Sequence, residues 1–144
     1  MVESEFHELT IKELYSETRD AVCVTLDVPE SIRSRFQYKQ GQYLTLRLTI
    51  DGDETRRSYS ICSGVSDDVL KIAIKRIDGG RFSTYANTVL RIGDIIEVMP
   101  PEGDFYTELN PSNSKYYLFI AAGSGITPVL SNIKSTLAIE AASH

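Results

Sequence analysis

A period of two runs through the apolar residues of the first two-thirds of the chain: Leu9 and Ile11, then Val22, Val24, Leu26 and Val28, then Leu44, Leu46, Leu48 and Ile50. Successive side chains of an extended strand point to opposite faces, so this spacing predicts half-buried strands with one face on a core. The turn Asp51–Glu54 leads the third of them into Arg56–Cys62, and Val69–Ile77 adds another strand with Leu70, Ile72 and Ile74 on one face. After Gly79-Gly80 the spacing lengthens to that of a short helix, about Ser83–Leu90, with Tyr85, Val89 and Phe82 facing inward, and Gly93-Asp94 turns the chain into a strand at Ile95–Met99. Six antiparallel strands with one short helix predict a mainly β fold closed into a barrel, since closure removes exposed strand edges.

The pattern changes beyond Asn110–Ser114, a polar, turn-forming stretch that marks a domain boundary, with a barrel domain over 1–110 and a second unit over 111–144. Tyr116-Tyr117-Leu118-Phe119-Ile120 is a continuous apolar run within Lys115–Ala122, the mark of a parallel strand buried on both faces. A glycine-rich turn follows, and then a helix with Thr127 as its N-cap, Pro128 at its first position and Leu130, Ile133 and Leu137 aligned at helical spacing. One strand and one helix do not complete a doubly wound sheet, so 111–144 reads as the truncated start of an α/β nucleotide-binding domain.

Several function classes are excluded at this stage. With 15 basic against 20 acidic residues and a net charge of −5, the chain has no basic cluster larger than Arg56-Arg57, so nucleic acid is not an expected partner. No apolar run approaches a membrane span, and the acidic start Met1–Glu5 is unlike a secretion signal, which points to the cytoplasm and no membrane. The two cysteines, Cys23 and Cys62, have no metal-ligand spacing and are expected to be buried free thiols; an iron–sulfur cluster would need more ligands than this chain has. His7 and His144 are expected at the surface, and no metal ligand and no general acid or base is assigned.

Three short motifs carry chemistry. Arg57-Ser58-Tyr59-Ser60 puts a fixed cation and an aromatic face on one side of a strand and two hydroxyls on the other. Those groups suit a flavin dinucleotide's pyrophosphate, ring and redox-active nitrogen, although the tetrapeptide alone fits an ordinary strand equally well. In Gly79–Thr84 the glycines permit close backbone approach and Ser83 and Thr84 open a helix whose amides favour anions; a plain capped turn is the alternative. Gly123-Ser124-Gly125-Ile126-Thr127-Pro128 follows a strand and opens a helix, as phosphate-binding loops do, but lacks the last glycine of the dinucleotide fingerprint and also fits a tight strand-to-helix turn.

In order along the chain, these motifs together with Gly41-Gln42-Tyr43, Ile74-Lys75-Arg76 and Pro101-Glu102-Gly103-Asp104-Phe105 resemble the ferredoxin-NADP reductase superfamily, over all 144 residues. The run Arg57–Ser63 is most similar to the reductase subunits of bacterial phenylacetyl-CoA and related multicomponent oxygenases. The resemblance implies an FAD-binding barrel and the start of an NAD(P)H domain. Arg57 would meet the FAD pyrophosphate, Tyr59 would stack on the ring and Ser60 would bond near its N5, with Ser58 beside them. Ile74, Lys75 and Arg76 would line the flavin largely through backbone, and Gly80, Ser83 and Thr84 would bind phosphates. Tyr43 is a further contact or a barrel-core residue. Gly123 and Gly125 would face NAD(P)H phosphates, with Thr127 near the nicotinamide. The implied activity is transfer of electrons from NAD(P)H through flavin to an iron–sulfur ferredoxin domain or subunit outside this chain, serving an oxygenase. A flavohaemoglobin-like reductase and a non-redox barrel binding a phosphate-bearing ligand are the alternatives.

Overall fold

The computed structural model describes residues 5–144. Strands β1 (His7–Thr18), β2 (Ala21–Asp27), β3 (Tyr43–Ile50), β4 (Asp53–Ser60), β5 (Leu70–Lys75) and β6 (Ile95–Val98) form one sheet in the order β4-β3-β6-β1-β2-β5, every ladder antiparallel. The two outermost strands are brought together by a single rung, Ile61 with Ile72, backed by a bond from Cys62 N–H to the Lys71 carbonyl at 2.9 Å. The sheet therefore closes into a barrel with one loosely joined seam.

The alternation seen in the sequence fills its centre. Leu9, Ile11, Leu44, Leu46, Ile61, Ile72, Ile74, Ile96 and Val98 are all 1% exposed or less. The β3–β4 turn is tighter than the sequence suggests: only Asp51 and Gly52 lie between the strands, both with positive φ (53° and 84°). That is the backbone a two-residue hairpin matched to strand twist requires. A 3-10 helix over Glu30–Phe36, with no signal in the apolar spacing, carries Phe36 into the core.

Helix α1 runs Arg81–Thr88, two residues earlier than its apolar spacing indicates, and packs against β3, β4 and β5. Phe82 and Ala86 are its buried contacts with the core, whereas Val89, expected inside, is 47% exposed because the helix has already ended at that point. His7 is also less exposed than expected, since its ring meets Phe36 edge-on at 5.6 Å.

Helix α2 (Ile126–Ile139) departs most from its sequence pattern. Leu130 and Leu137 lie on the exposed side (41% and 61%), and the barrel is met instead by Val129, Ser131, Asn132, Ser135 and Thr136. Its N-cap is Gly125, not Thr127, whose hydroxyl donates to the Ser124 carbonyl at 2.9 Å from within the first turn; Pro128 is correspondingly the third helical residue. Within 115–122 the chain is extended but Tyr116, Leu118 and Ile120 are 85–89% exposed, not buried on both faces. A strand exists through its ladder partners, and among the described residues the one rung here is with His144, whose N–H bonds Lys115 O and whose carbonyl accepts from Tyr117 N–H, each at 2.8 Å. That offset pair of bonds is the pattern of parallel strands, formed across α2 as in a β-α-β crossover.

Candidate functional site

The motif residues of β4 sit at the seam. In the β3–β4 register Tyr59 lies opposite Leu44 and Arg57 opposite Leu46, so both project to the side of the sheet that carries the core, at its mouth. Ser58 and Ser60 project to the other side, where Ser58 Oγ shares a 2.9 Å bond with Thr45 Oγ1. Extending the antiparallel register of the Ile61–Ile72 rung sets Tyr59 across from Ile74 and Arg57 across from Arg76. No ladder joins the strands there, so Arg57 and Tyr59 on one wall and Ile74-Lys75-Arg76 on the other flank an opening in the barrel. The start of α1 closes one end of it, with the Phe82 ring centroid 5.7 Å from that of Tyr59.

The electrostatics of this opening are unusual within the molecule. Arg19, Arg33, Arg35, Arg47, Arg56, Arg76 and Arg81 each have a carboxylate partner. Arg91 is spent on the carbonyls of Thr88 and Leu90 at the end of α1. Among the described residues Arg57 and Arg91 are the two exposed arginines with no carboxylate partner, and of the two it is Arg57 that lies at the opening; its one bond is to the Arg56 carbonyl at 2.6 Å. Burial raises the pKa of Tyr59, opposed in part by the charge of Arg57. The first amides of α1 add donors that have no partner within the helix.

Not every candidate contributes a side chain. Ile74 is fully buried and its carbonyl accepts from Asn87 Nδ2 at 3.0 Å, while Arg76 is tied to Asp20 through both backbone and guanidinium. Lys75 is exposed. The Ser83 hydroxyl is buried and serves the turn itself, accepting from Ile77 N–H at 3.1 Å, so what it presents to the opening is its amide. Gly80 is where Ser83 folds back: a Cβ there would stand 2.6 Å from Ser83 Oγ. Thr84 N–H is bonded to Gly80 O and its side chain is exposed. Tyr43 lies on the outer side with Ser60, its ring against Gly103 and its backbone paired with Glu102.

Gly123, Gly125 and Thr127 belong to α2's entry, which reaches the barrel through the turn after β4. Ser131 Oγ donates to Ser63 O at 2.6 Å, Val65 N–H donates to Ser135 Oγ at 3.0 Å, and Lys134 pairs with Asp67. Asn132 Nδ2 donates to Phe105 O at 3.1 Å. Gly41, at φ 88°, is required at this junction, since a Cβ would lie 1.9 Å from Phe105 O. From below, the Tyr38 hydroxyl is bonded to Ser63 Oγ, Gly64 O and Val69 O, and burial pushes its pKa up to about 12. At the far end of α2, buried Glu140 accepts from Asn110 N–H, Asn113 Nδ2, Ser143 Oγ and Tyr117 Oη. Burial opposes its ionisation, yet these four bonds outweigh that and hold its pKa down at about 2. Tyr38, Ser131, Asn132, Ser135 and Glu140 belong to none of the sequence motifs; polar residues repeating at 131, 132, 135 and 136 are the signal that marks the three on α2, and nothing in the spacing marks Tyr38 or Glu140.

A cleft of about 570 Å³ lies elsewhere, between β2, β5 and the 3-10 helix, lined by Lys12, Asp27, Arg33, Phe36 and Tyr38 among others. Its charges are mixed and the Tyr38 hydroxyl is already engaged, so it has less to offer an anion than the shallow opening beside Arg57. Among the described residues no helix is long and apolar enough to cross a membrane, and no cluster of His, Cys, Asp and Glu could hold a metal. Cys23 and Cys62 are buried and free.

A barrel with an exposed cation and an aromatic ring at its seam has relatives. The family model for the oxidoreductase FAD-binding domain matches residues 8–106. The chain belongs to that family. It is 46% identical over 135 residues to a component of the 1,2-phenylacetyl-CoA epoxidase of Escherichia coli (strain K12), covering 94% of this chain and 38% of that protein. To the ferredoxin reductase component of 3-ketosteroid-9-alpha-monooxygenase of Rhodococcus rhodochrous it is 37% identical over 131 residues, covering 90% and 36%. Phthalate dioxygenase reductase, a solved structure, superposes with a TM-score of 0.73 at 27% identity, over 96% of this chain and 41% of that one. A ferredoxin NADP+ reductase of Neisseria gonorrhoeae with bound FAD and NADP shares the fold, with a TM-score of 0.77 at 23% identity over 98% and 56%. The chain thus spans less than two-fifths of the length of the two curated relatives. Its cofactor is FAD.

Proposed function

We propose that this chain is the flavin-binding part of an NAD(P)H-dependent reductase that feeds an iron–sulfur ferredoxin domain or subunit, and through it an oxygenase. Residues 1–110 form the FAD barrel and 111–144 the start of the NAD(P)H-binding domain, with the cytoplasm as the compartment. The single observation that carries the reading is Arg57, an exposed arginine without a carboxylate, set beside Tyr59 at the barrel seam and facing the start of α1. A planar fork suits a pyrophosphate, and helix amides add to it.

In this reading Arg57 grips the pyrophosphate together with the amides of Gly80–Ser83 and the Thr84 hydroxyl. Tyr59 presents its ring to the isoalloxazine, the backbone of Ile74–Arg76 lines the opposite wall, and Ser58 and Ser60, whose side chains project to the other face of β4, meet the flavin through their backbone. Tyr43 supports the wall from outside through Gly103. Gly123, Gly125 and Thr127 receive the nicotinamide nucleotide. FAD, when bound, supplies the redox chemistry, taking up a hydride and giving up electrons singly. The residues of this chain bind and orient; none is asked to move a proton.

The purified chain is expected to be yellow, to release FAD on denaturation as identified by chromatography, and to show little NAD(P)H-dependent dye reduction by itself. Arg57→Ala is expected to weaken FAD binding by roughly ten- to a hundredfold, the loss of a charge-assisted bidentate contact of about 1.5–3 kcal/mol. A chain that binds no flavin, or an Arg57→Ala variant that binds it unchanged, defeats the reading. The flavohemoprotein of Pseudomonas aeruginosa, 39% identical over 100 residues, keeps a second outlet in view, a reductase serving a haem domain; the spectrum of the full-length protein separates the two.

A further inference from the structure

The turn that follows β4 does more than lead the chain away from the seam. Ser63, Gly64 and Val65 stand within a few residues of Tyr59 and Ser60, and the same turn is where α2 is fastened. Two hydroxyls of α2, Ser131 and Ser135, both with no exposed surface, bond the Ser63 carbonyl and the Val65 amide. Asp67 completes the turn by accepting from Gly64 N–H at 2.9 Å and pairing with Lys134, which holds its carboxyl below its ordinary pKa against the effect of burial. Tyr38 locks the turn from the barrel side. Few apolar side chains lie between helix and turn, so direction-dependent hydrogen bonds, not bulk burial, fix where α2 sits.

We propose that the Ser63–Asp67 turn is a pin that sets the distance between the flavin wall of β4 and the nicotinamide-side loop at the start of α2, with Ser131 and Ser135 as positioning residues for hydride transfer. The proposal rests on the function proposed above. The pin ties the helix by its middle, so the entry loop Gly123–Thr127 swings about Ser131 if the bonds are lost. Misplacement by an ångström suffices to slow a transfer between stacked rings by up to about a hundredfold. Ser131 and Ser135 touch neither ring, so nucleotide affinity is expected to stay nearly constant while the rate of the transfer falls.

The test uses the full-length reductase that carries this chain, as wild type, Ser131→Ala, Ser135→Ala and Asp67→Asn. The last is a surface change that keeps the side chain's shape and folds even if a serine variant does not. Two measurements are made on each: amide hydrogen exchange over 63–67, and stopped-flow flavin reduction as a function of NAD(P)H concentration. Faster exchange over 63–67, a saturating reduction rate lowered about tenfold or more in the serine variants and severalfold in Asp67→Asn, and a nucleotide Kd changed less than about threefold support the pin. An unchanged saturating rate overturns it, and so does a loss confined to Kd. Unchanged exchange overturns the fastening itself. Wild-type protein without bound flavin overturns the underlying function and the positioning role with it, an outcome told apart by the absorbance spectrum before any nucleotide is added.

Discussion

The barrel interior and the α2 seam are both buried, yet they are built from opposite materials. Leu9, Ile11, Leu44, Leu46, Ile72 and Ile74 fill the first, with no polar group among them, whereas Ser131, Asn132, Ser135, Thr136 and Glu140 fill the second. Apolar burial is large and non-directional; a buried hydrogen bond contributes only about 0.5–1.5 kcal/mol net but leaves a costly orphan when its geometry is spoiled. The barrel is therefore where stability resides, and the seam is where position is specified. One face of α2 and its cap accordingly hold five buried polar residues.

That contrast is broken most directly by Ile72→Ala. Ile72 is fully buried and forms the closing rung with Ile61, so the truncation is expected to cost about 2–5 kcal/mol of unfolding free energy, read from denaturant titration. A loss below about 1 kcal/mol would place the stability of the molecule elsewhere than in the barrel.

The seam is tested by pH. Glu140 is held at about 2 in the folded chain against an ordinary 4.5. A depressed carboxyl contributes stability that is fully present above about pH 4.5 and is lost as pH falls toward 2. Protection of the amides in the 110–117 turn, which Glu140 ties down, taken relative to their intrinsic exchange rate at each pH, is accordingly expected to fall over that window before that of the barrel, and Glu140→Gln is expected to show low protection at every pH. Coincident loss of turn and barrel would mean that the two regions are one cooperative unit.

The smallest effect is expected at Thr136, whose buried Oγ1 has no hydrogen-bond partner among the described residues. Thr136→Val keeps the shape and removes the orphan hydroxyl, so stability is expected to stay level or rise by up to about 1 kcal/mol. A loss beyond 1 kcal/mol would show that the hydroxyl is engaged.

The same division explains what is legible in the sequence. Period-two spacing of Leu44, Leu46 and Ile72, Ile74 reveals the barrel because apolar alternation is a one-dimensional record of which face is buried. Arg57 and Tyr59 are legible as a pair by the same alternation, but that Arg57 lacks a carboxylate while Arg56 has Glu54 depends on which strands become neighbours. The α2 face misleads because Leu130 and Leu137 mark an apolar face that this chain leaves exposed, whereas Ser131 and Ser135 gain their value only from the Ser63 carbonyl and the Val65 amide, more than sixty positions away. For the run Tyr116–Ile120, apolar composition identifies an extended segment but not whether neighbours cover it.

The closing rung of the barrel has a consequence in chain entropy. Ile61 and Ile72, which join the two ends of the sheet order, stand eleven positions apart, whereas His7 and Val98, paired well inside that order, stand ninety-one apart. Loop-closure cost grows as the logarithm of length, so the rung that shuts the barrel is favoured over that interior pairing by roughly 2 kcal/mol of closure entropy. The strands that bound the opening beside Arg57 are thus tethered to each other by the chain itself, at the end where the rung closes the barrel.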